Sequence, residues 1–323
     1  MAMRKVMSYL LFIGVGVRKD PRIGPVFNFI VREIKGKIKR FLHGRSIEKA
    51  RREFDAALPS NYAYRAARVD LEKLNVFSLC HGAVGAEQKL SILSFLRHVG
   101  APAKWHIVSD GSISESQAKC FRSIHPSIEV LDWSTFLCNE NKVCYERLAK
   151  WTVYAKKFAL MSNLPDLGPV VYADTDILFF EGARHLRELL KNLNEKSYYL
   201  KDLPGCLDTA FLTESELGAP PLNAGFVVQG KKLDWSLPIA RLNARLSQLT
   251  PAQTLGDLGM LEQSASHLAH YLAGSLPLDE KYALQISDRF EAEDRFSGRD
   301  FVLRHYVRPV RPKMWMHATD YLS

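Results

Sequence analysis

The sequence predicts an α/β protein whose mixed, mainly parallel sheet is flanked by helices, and three observations predict it. From about residue 75 onward, apolar strand-like runs alternate with amphipathic helical ones. Val170, Val171, Tyr172 and Ala173 are apolar on both faces, as a parallel strand covered by helices requires. That run then stops at two aspartates, in "VVYADTDILFF" (170–180), at the carboxyl end where open α/β sheets bind their ligands.

Taken in order, "NVFSLC" (75–80) reads as a strand and "HGAVGAE" as the turn after it. "EQKLSILSFLRHVG" reads as a helix stopped by Gly100, and "KWHIVSD" (104–110) as the next strand. Ser114 with Gln117 forms a capping box that starts the helix "ESQAKCFRSI", and "IEVLD" (128–132) follows as a short strand. Leu148, Trp151, Ala155 and Phe158 share one helical stripe and predict a single helix over about 145–162. This alternation describes a Rossmann-like half. Beyond Phe180, "RHLRELLKNL" is helical, and "SYYLKD" and "PPLNAGFVVQG" (220–230) carry strands. Helices follow at about 236–249 and 257–272, then the strand "FVLRHY" (301–306) and a Pro- and Arg-rich tail.

The charge is uneven. Residues 1–70 hold 16 Lys/Arg against 6 Asp/Glu, and the rest holds 28 against 29. The net charge of +9 therefore belongs to a basic N-terminal extension (1–70), and the near-neutral remainder (71–323) argues against a nucleic-acid groove. Within the extension, "SYLLFIGVGV" (8–17) is shorter than the roughly 20 residues that span a bilayer. "VFNFIVREIKGKIKRFL" (26–42) places Phe27, Ile30, Ile34, Ile38 and Phe41 on one stripe, with Arg32, Lys35, Lys39 and Arg40 on other faces. Such a basic amphipathic helix suits an anionic membrane surface, or packs on its own domain. Five scattered cysteines without a CxxC pair fit a reducing compartment. The expected location is cytoplasmic, soluble or peripheral on the cytoplasmic membrane face.

The chemistry centres on Asp174 and Asp176. A buried carboxylate is costly unless something positive meets it. Two residues apart on extended backbone, these side chains leave the strand on the same side and can converge on one cation. The competing reading is a solvated strand end.

With no GxGxxG, a buried strand ending in D-x-D, a later "LNAGFVV" strand and a late His followed by Lys and Trp, the sequence resembles the GT-A-fold glycosyltransferases, most of all glycosyltransferase family 8. The resemblance runs from about residue 75 to 317 and includes "KLSILSFLRHVGAPAKWHIVSDGSIS" and "KKFALMSNLPDLGPVVYADTDILFF". It departs at the end: after His305 the chain reads "YVRPVRPKMW", with no Gly and with Met314 where the family has Pro. The resemblance implies a hexosyltransferase-type enzyme that moves a sugar from a nucleotide-diphospho-sugar, UDP-sugar first, to an unknown carbohydrate or a lipid-linked or envelope acceptor. It implies Mn²⁺, or Mg²⁺, on Asp174, Asp176 and His305, the imidazole nitrogen favouring Mn²⁺. Lys156 and Lys157 on the preceding helix, and Lys313 in the tail, would reach the diphosphate. Asn223 and Gly225 would approach donor sugar or acceptor. Asp257 and Glu262 form an ordinary polar helix face or meet an acceptor hydroxyl, one of them serving as general base if the reaction inverts, whereas the retaining reaction that the resemblance implies leaves deprotonation to the departing phosphate. His317 is a spare ligand, and His81 and His106 read as structural. Two alternatives are a nucleotidyltransferase, for which "CHGAVGAEQK" is a poor phosphate loop, and a silent nucleotide-sugar-binding protein that keeps the fold.

Overall fold

A computed structural model describes residues 47–49, 51–55, 70–166, 168–249, 255–285, 301–307, 311, 314–315 and 318, with side chains at 260–282 but not 255–259 or 283–285. Two units are distinguished, Met1–Phe54 and Asp55–Ser323, and the second carries the features below. The helix expected over 26–42 and the apolar stretch 8–17 lie outside the described residues.

Strand β1 (Asp70–Cys80) opens the second unit, and helix α1 (Gly85–His98) returns along the sheet to β2 (Ala101–Ser109). Gly100 stops α1 with φ near 142°, a conformation that favours glycine. Helix α2 (Glu115–Ile124) starts at the capping box of Ser114 and Gln117, and β3 (Ile128–Asp132) follows it. Then come α3 (Asn139–Leu148), α4 (Ala155–Met161) and β4 (Val170–Ala173).

The single helix expected over 145–162 is thus two. Trp151, Thr152, Val153 and Tyr154 fall between them, a run of aromatic and β-branched residues with weak helix propensity. The Thr152 hydroxyl accepts the Tyr154 N–H, which favours a turn over continued helix. The break re-aims the chain so that α4 begins immediately before Lys156 and Lys157.

After β4 come β5 (Ile177–Phe179), α5 (Arg184–Lys191), β6 (Tyr198–Lys201), α6 (Glu214–Leu217) and β7 (Leu222–Gln229). The chain continues through α7 (Ser236–Ser247), α8 (Leu255–Leu272), β8 (Leu276–Pro277), β9 (Tyr282–Gln285) and β10 (Leu303–Tyr306). Seven strands form one sheet in the order β3-β2-β1-β4-β7-β6-β8. Pairs β1–β2, β2–β3, β1–β4 and β6–β8 are parallel, whereas β7 runs antiparallel to both β4 and β6. This is the mixed, mainly parallel sheet flanked by helices that the sequence predicts.

The two-residue period of the strands divides the core between the faces. Val76, Val171 and Ala173 pack with Phe95 and Leu96 of α1 and Leu186 and Leu190 of α5. Phe77, Val170 and Tyr172 pack with Phe158 of α4, Leu242 of α7 and Leu261 and Leu268 of α8. The sequence reading does not anticipate a second, three-stranded sheet, β5-β10-β9. In it β10 pairs antiparallel with β5, setting His305 opposite Ile177, the residue after Asp176. Among the described residues, no helix is long and apolar enough to cross a membrane.

Candidate functional site

β4 ends at Ala173, and the turn that follows carries Asp174, Thr175 and Asp176 into β5. The two carboxylates stand at the carboxyl edge of the main sheet, where it meets the second sheet. The Asp174 N–H donates to the Gly225 carbonyl of β7, and the Tyr306 N–H of β10 donates to the Asp176 carbonyl (both 2.8 Å). Backbone pairing from both sheets therefore fixes where these side chains start.

Asp174 is held by residues near it in sequence. Lys157 Nζ donates to both its oxygens at 3.1 and 2.9 Å, and the Tyr172 hydroxyl donates to Oδ1 at 2.6 Å. Burial works against the Lys157 charge, but Asp174 and Glu262 more than offset it and keep the ammonium protonated above its ordinary range. Burial, then Asp174, raise the Tyr172 phenol well above its usual value, so it remains a donor.

Asp176 is held from far away. Arg311 Nε and one Nη both grip its Oδ2, at 2.8 and 2.5 Å, and His305 Nε2 lies 3.2 Å from Oδ1. Burial alone would raise this carboxyl, but His305 and Arg311 hold it down to about 2. His305 Nε2 is also 3.6 Å from Asp174 Oδ2. One ligand atom from each of Asp174, Asp176 and His305 lies within 4.8 Å of the others.

The other face of the imidazole is also fixed. Asn223 Nδ2 donates to Asp202 Oδ2 (2.8 Å), while Asn223 Oδ1 accepts the Gly225 N–H (2.9 Å). That sets the amide orientation, so His305 Nδ1, at 2.9 Å from the same Oδ1, must be the protonated donor. Gln263 Nε2 braces Asp202 from α8 at 3.0 Å. The Nε2 lone pair of a neutral His305 therefore points at two carboxylate oxygens. Lys157 and Arg311 meet the two carboxylates from outside, and between them Asp174 Oδ2, Asp176 Oδ1 and His305 Nε2 present acceptor atoms that one divalent ion could join. Two hard oxygens and an imidazole nitrogen suit a divalent ion such as Mn²⁺, so the residues fit the expected metal.

A cavity of about 880 Å³ opens over this cluster, with Lys156, Lys157, Glu262, Gln263 and Arg311 in its wall beside the three ligand candidates. The sequence-predicted residues fall into place unevenly. Lys157 meets Asp174, whereas Lys156 Nζ donates to the Asp110 carbonyl at 2.5 Å and sits 5.1 Å from the Trp133 ring centre. Asn223 orients His305. The missing side chain of Gly225 makes room for the imidazole, because a Cβ there would lie 2.1 Å from His305 Cε1. Glu262 is buried, and burial, with Asp174 adding to it against Lys157, pushes its carboxyl up to about 7.

The side chain of Asp257, in the first turn of α8, lies outside the described side chains, and Lys313 and His317 lie outside the described residues. His106 stacks on Phe77, with ring centres 4.4 Å apart, as a structural residue would. His81 Nδ1 accepts the Ala83 N–H and also lines the cavity. The sequence reading missed Tyr172, Asp202, Gln263 and Arg311. Arg311 sits in the departing "YVRPVRPKMW" segment, whose surplus arginines were the available signal.

No protein-family model and no curated protein matches the chain. Among solved structures, it is similar to the galactosyltransferase LgtC in complex with donor and acceptor sugar analogues, at 14% identity over 76% of this chain and 94% of that one, with a TM-score of 0.47. The apo-form glycosyltransferase GlyE of Streptococcus pneumoniae TIGR4 matches at 13% identity over 76% and 60%, TM-score 0.46. Apo mouse xyloside xylosyltransferase 1 matches at 15% identity over 75% and 99%, TM-score 0.43. These structural neighbours are glycosyltransferases, the class that the sequence resembles.

Proposed function

We propose that this chain is a metal-dependent, GT-A-type glycosyltransferase that takes its sugar from a nucleoside-diphospho-sugar, UDP-sugar being the first candidate. The observation that carries the reading is the convergence of Asp174 Oδ2, Asp176 Oδ1 and His305 Nε2 beneath a cavity of donor size. When bound, a divalent ion there supplies positive charge against a leaving diphosphate. The chain's own residues do the rest. Asp174 and Asp176 hold the ion, Asn223 keeps the His305 Nδ1 proton in place so that Nε2 is the ligand, and Lys157 fixes Asp174.

Glu262 faces the same cavity with a carboxyl raised to about 7, near the value at which a group exchanges a proton with an acceptor hydroxyl at neutral pH. A cytoplasmic site and a membrane-surface role for the basic extension remain part of this proposal. The first rests on the five scattered cysteines without a CxxC pair. The second rests on the charge of residues 1–70 and is checked by comparing liposome sedimentation of the full chain with a chain starting near residue 70. The segment 82–84, within the stretch compared with a phosphate loop, is a single 3-10 turn capped by His81 that runs directly into α1. This gives the nucleotidyltransferase reading no support.

The test is release of UDP from a panel of UDP-sugars with Mn²⁺, with EDTA-treated protein alongside. Metal-dependent release is expected. Equal turnover with and without metal would refute the proposal.

A further inference from the structure

The two carboxylates of the centre already carry two protein cations. Lys157 meets Asp174 at 2.9 Å, and Arg311 meets Asp176 at 2.5 Å. These four groups sum to no net charge. A divalent ion arriving alone therefore enters a neutral cluster and meets the guanidinium against one of its ligands. A divalent ion arriving with a diphosphate is different, because the pair carries little net charge and its anionic oxygens offer the guanidinium a new partner.

Arg311 is placed to change partners. It spends Nε and one Nη on a single oxygen, Asp176 Oδ2, while Oδ1 is the atom turned to His305. Its grip therefore leaves the inner ligand atom of Asp176 free of the guanidinium. Arg311 is about one-quarter exposed and lines the cavity, unlike the almost fully buried Asp176 beneath it. The segment is held on both sides: β10 pairs with β5, and beyond it Met314 is buried and Trp315 Nε1 donates to Glu87 Oε1 of α1 at 3.0 Å. The Met314 N–H closes a turn on the Arg311 carbonyl at 3.0 Å. The backbone is tethered while the side chain faces the cavity.

We infer that Arg311 couples metal to donor: it weakens binding of a lone divalent ion by pairing with Asp176, then serves as a side-chain cation for the donor diphosphate. This rests on the proposed glycosyltransferase reading. Metal and nucleoside diphosphate each bind better in the other's presence, and the uncharged variant Arg311→Gln loses that coupling.

The experiment uses the full chain, Mn²⁺ and UDP, and needs no turnover. Free Mn²⁺ is followed by electron paramagnetic resonance and UDP binding by calorimetry, for wild type, Arg311→Gln, Arg311→Lys and Asp176→Asn. Coupling energies between sites set the scale. Arg311→Gln should bind Mn²⁺ alone about tenfold tighter and UDP with Mn²⁺ about tenfold more weakly. Arg311→Lys retains the charge and should stay nearer wild type in both, which separates charge from fold. Two losses of similar size in Arg311→Gln, or no change in either affinity, would overturn the inference while wild-type Mn²⁺ binding, lost in Asp176→Asn, left the metal site standing. Failure of wild type to bind Mn²⁺ with or without UDP would sink both.

Discussion

The two aspartates sit one residue apart yet belong to different parts of the molecule. Asp174 is completed locally: its partners lie 2 and 17 residues upstream, on the same strand and the helix before it. Asp176 is completed remotely, by an arginine 135 residues downstream and by a histidine on the strand of the second sheet. The local arm forms when β4 and α4 pack, so its geometry belongs to the core. The remote arm forms only when the end of the chain docks, so it is where binding can change the geometry at least expense to the fold. The difference predicts that the first arm resists substitution as a matter of stability, and the second as a matter of ligand binding.

The largest effect should come from Asp176→Asn, which nearly preserves shape and removes a formal charge from the ion. Turnover of a UDP-sugar with Mn²⁺ should fall by about 100-fold or more. His305→Ala should cost less, because water can replace a neutral nitrogen. Melting temperatures measured alongside should show both variants folded. Wild-type turnover by a folded Asp176→Asn protein would end the metal assignment.

Next in size, Lys157→Met should lower stability by about 3 kcal/mol, because it strands the Asp174 carboxylate beside Tyr172. Arg311→Gln should lower it by less, about 1.5 kcal/mol, because His305 stays beside Asp176 and the Gln amide can still donate to it. Urea unfolding of the two variants checks the contrast. Equal losses would erase the distinction between core arm and binding arm.

Legibility in the sequence follows the same divide. The first half of the sheet is written in local patterns: the alternating runs, Gly100, the capping box at Ser114 and the apolar β4 each have a short-range cause. The D-x-D and His305 were legible because a carboxylate pair at a strand end and a lone histidine closing an apolar strand are chemically conspicuous. The break at 151–154 was missed because the stripe of Leu148, Trp151, Ala155 and Phe158 fits a helix on either side of it. Arg311, Asp202 and Gln263 were missed because their roles are set by tertiary docking. Nothing local separates Arg311 from Arg308, or Asp202 from any aspartate ending a strand.

Glu262 probes the local arm by pH. Its carboxyl is raised from 4.5 to about 7, chiefly by burial. A carboxyl whose folded value is raised binds more protons in the folded chain than in the unfolded one between those two values, so it lowers stability as pH rises from about 5 to about 8. Glu262→Gln removes that contribution, and its melting temperature should gain on wild type over this range, by the equivalent of about 2 kcal/mol. A gap that stays constant with pH would show that Glu262 titrates as an ordinary carboxylate. The same variant should be slower in turnover, since its amide cannot accept the acceptor's proton.

The smallest predicted change in stability, and the cleanest test of the remote arm, is Gly225→Ala. A Cβ at this position would lie 2.1 Å from His305 Cε1, 2.5 Å from His305 Nδ1 and 2.7 Å from Asn223 Oδ1. Three atoms of one hydrogen-bonded pair therefore occupy the space that the added methyl needs. The three nearest atoms all belong to side chains, and Gly225 lies in β7, which pairs with β4 from Phe226 to Gln229, so the fold should survive with a loss near 1 kcal/mol. What must yield is the imidazole. Turning it away breaks the Nδ1–H bond to Asn223 and swings Nε2 off the two carboxylates, while Lys157 and Tyr172 keep their hold on Asp174. Mn²⁺ affinity should fall about tenfold, the size expected when the partner that orients a metal-bound histidine is lost. A Gly225→Ala protein that binds Mn²⁺ as tightly as wild type would mean that His305 reaches the ion from a different rotamer, and that its present bond to Asn223 does not position it.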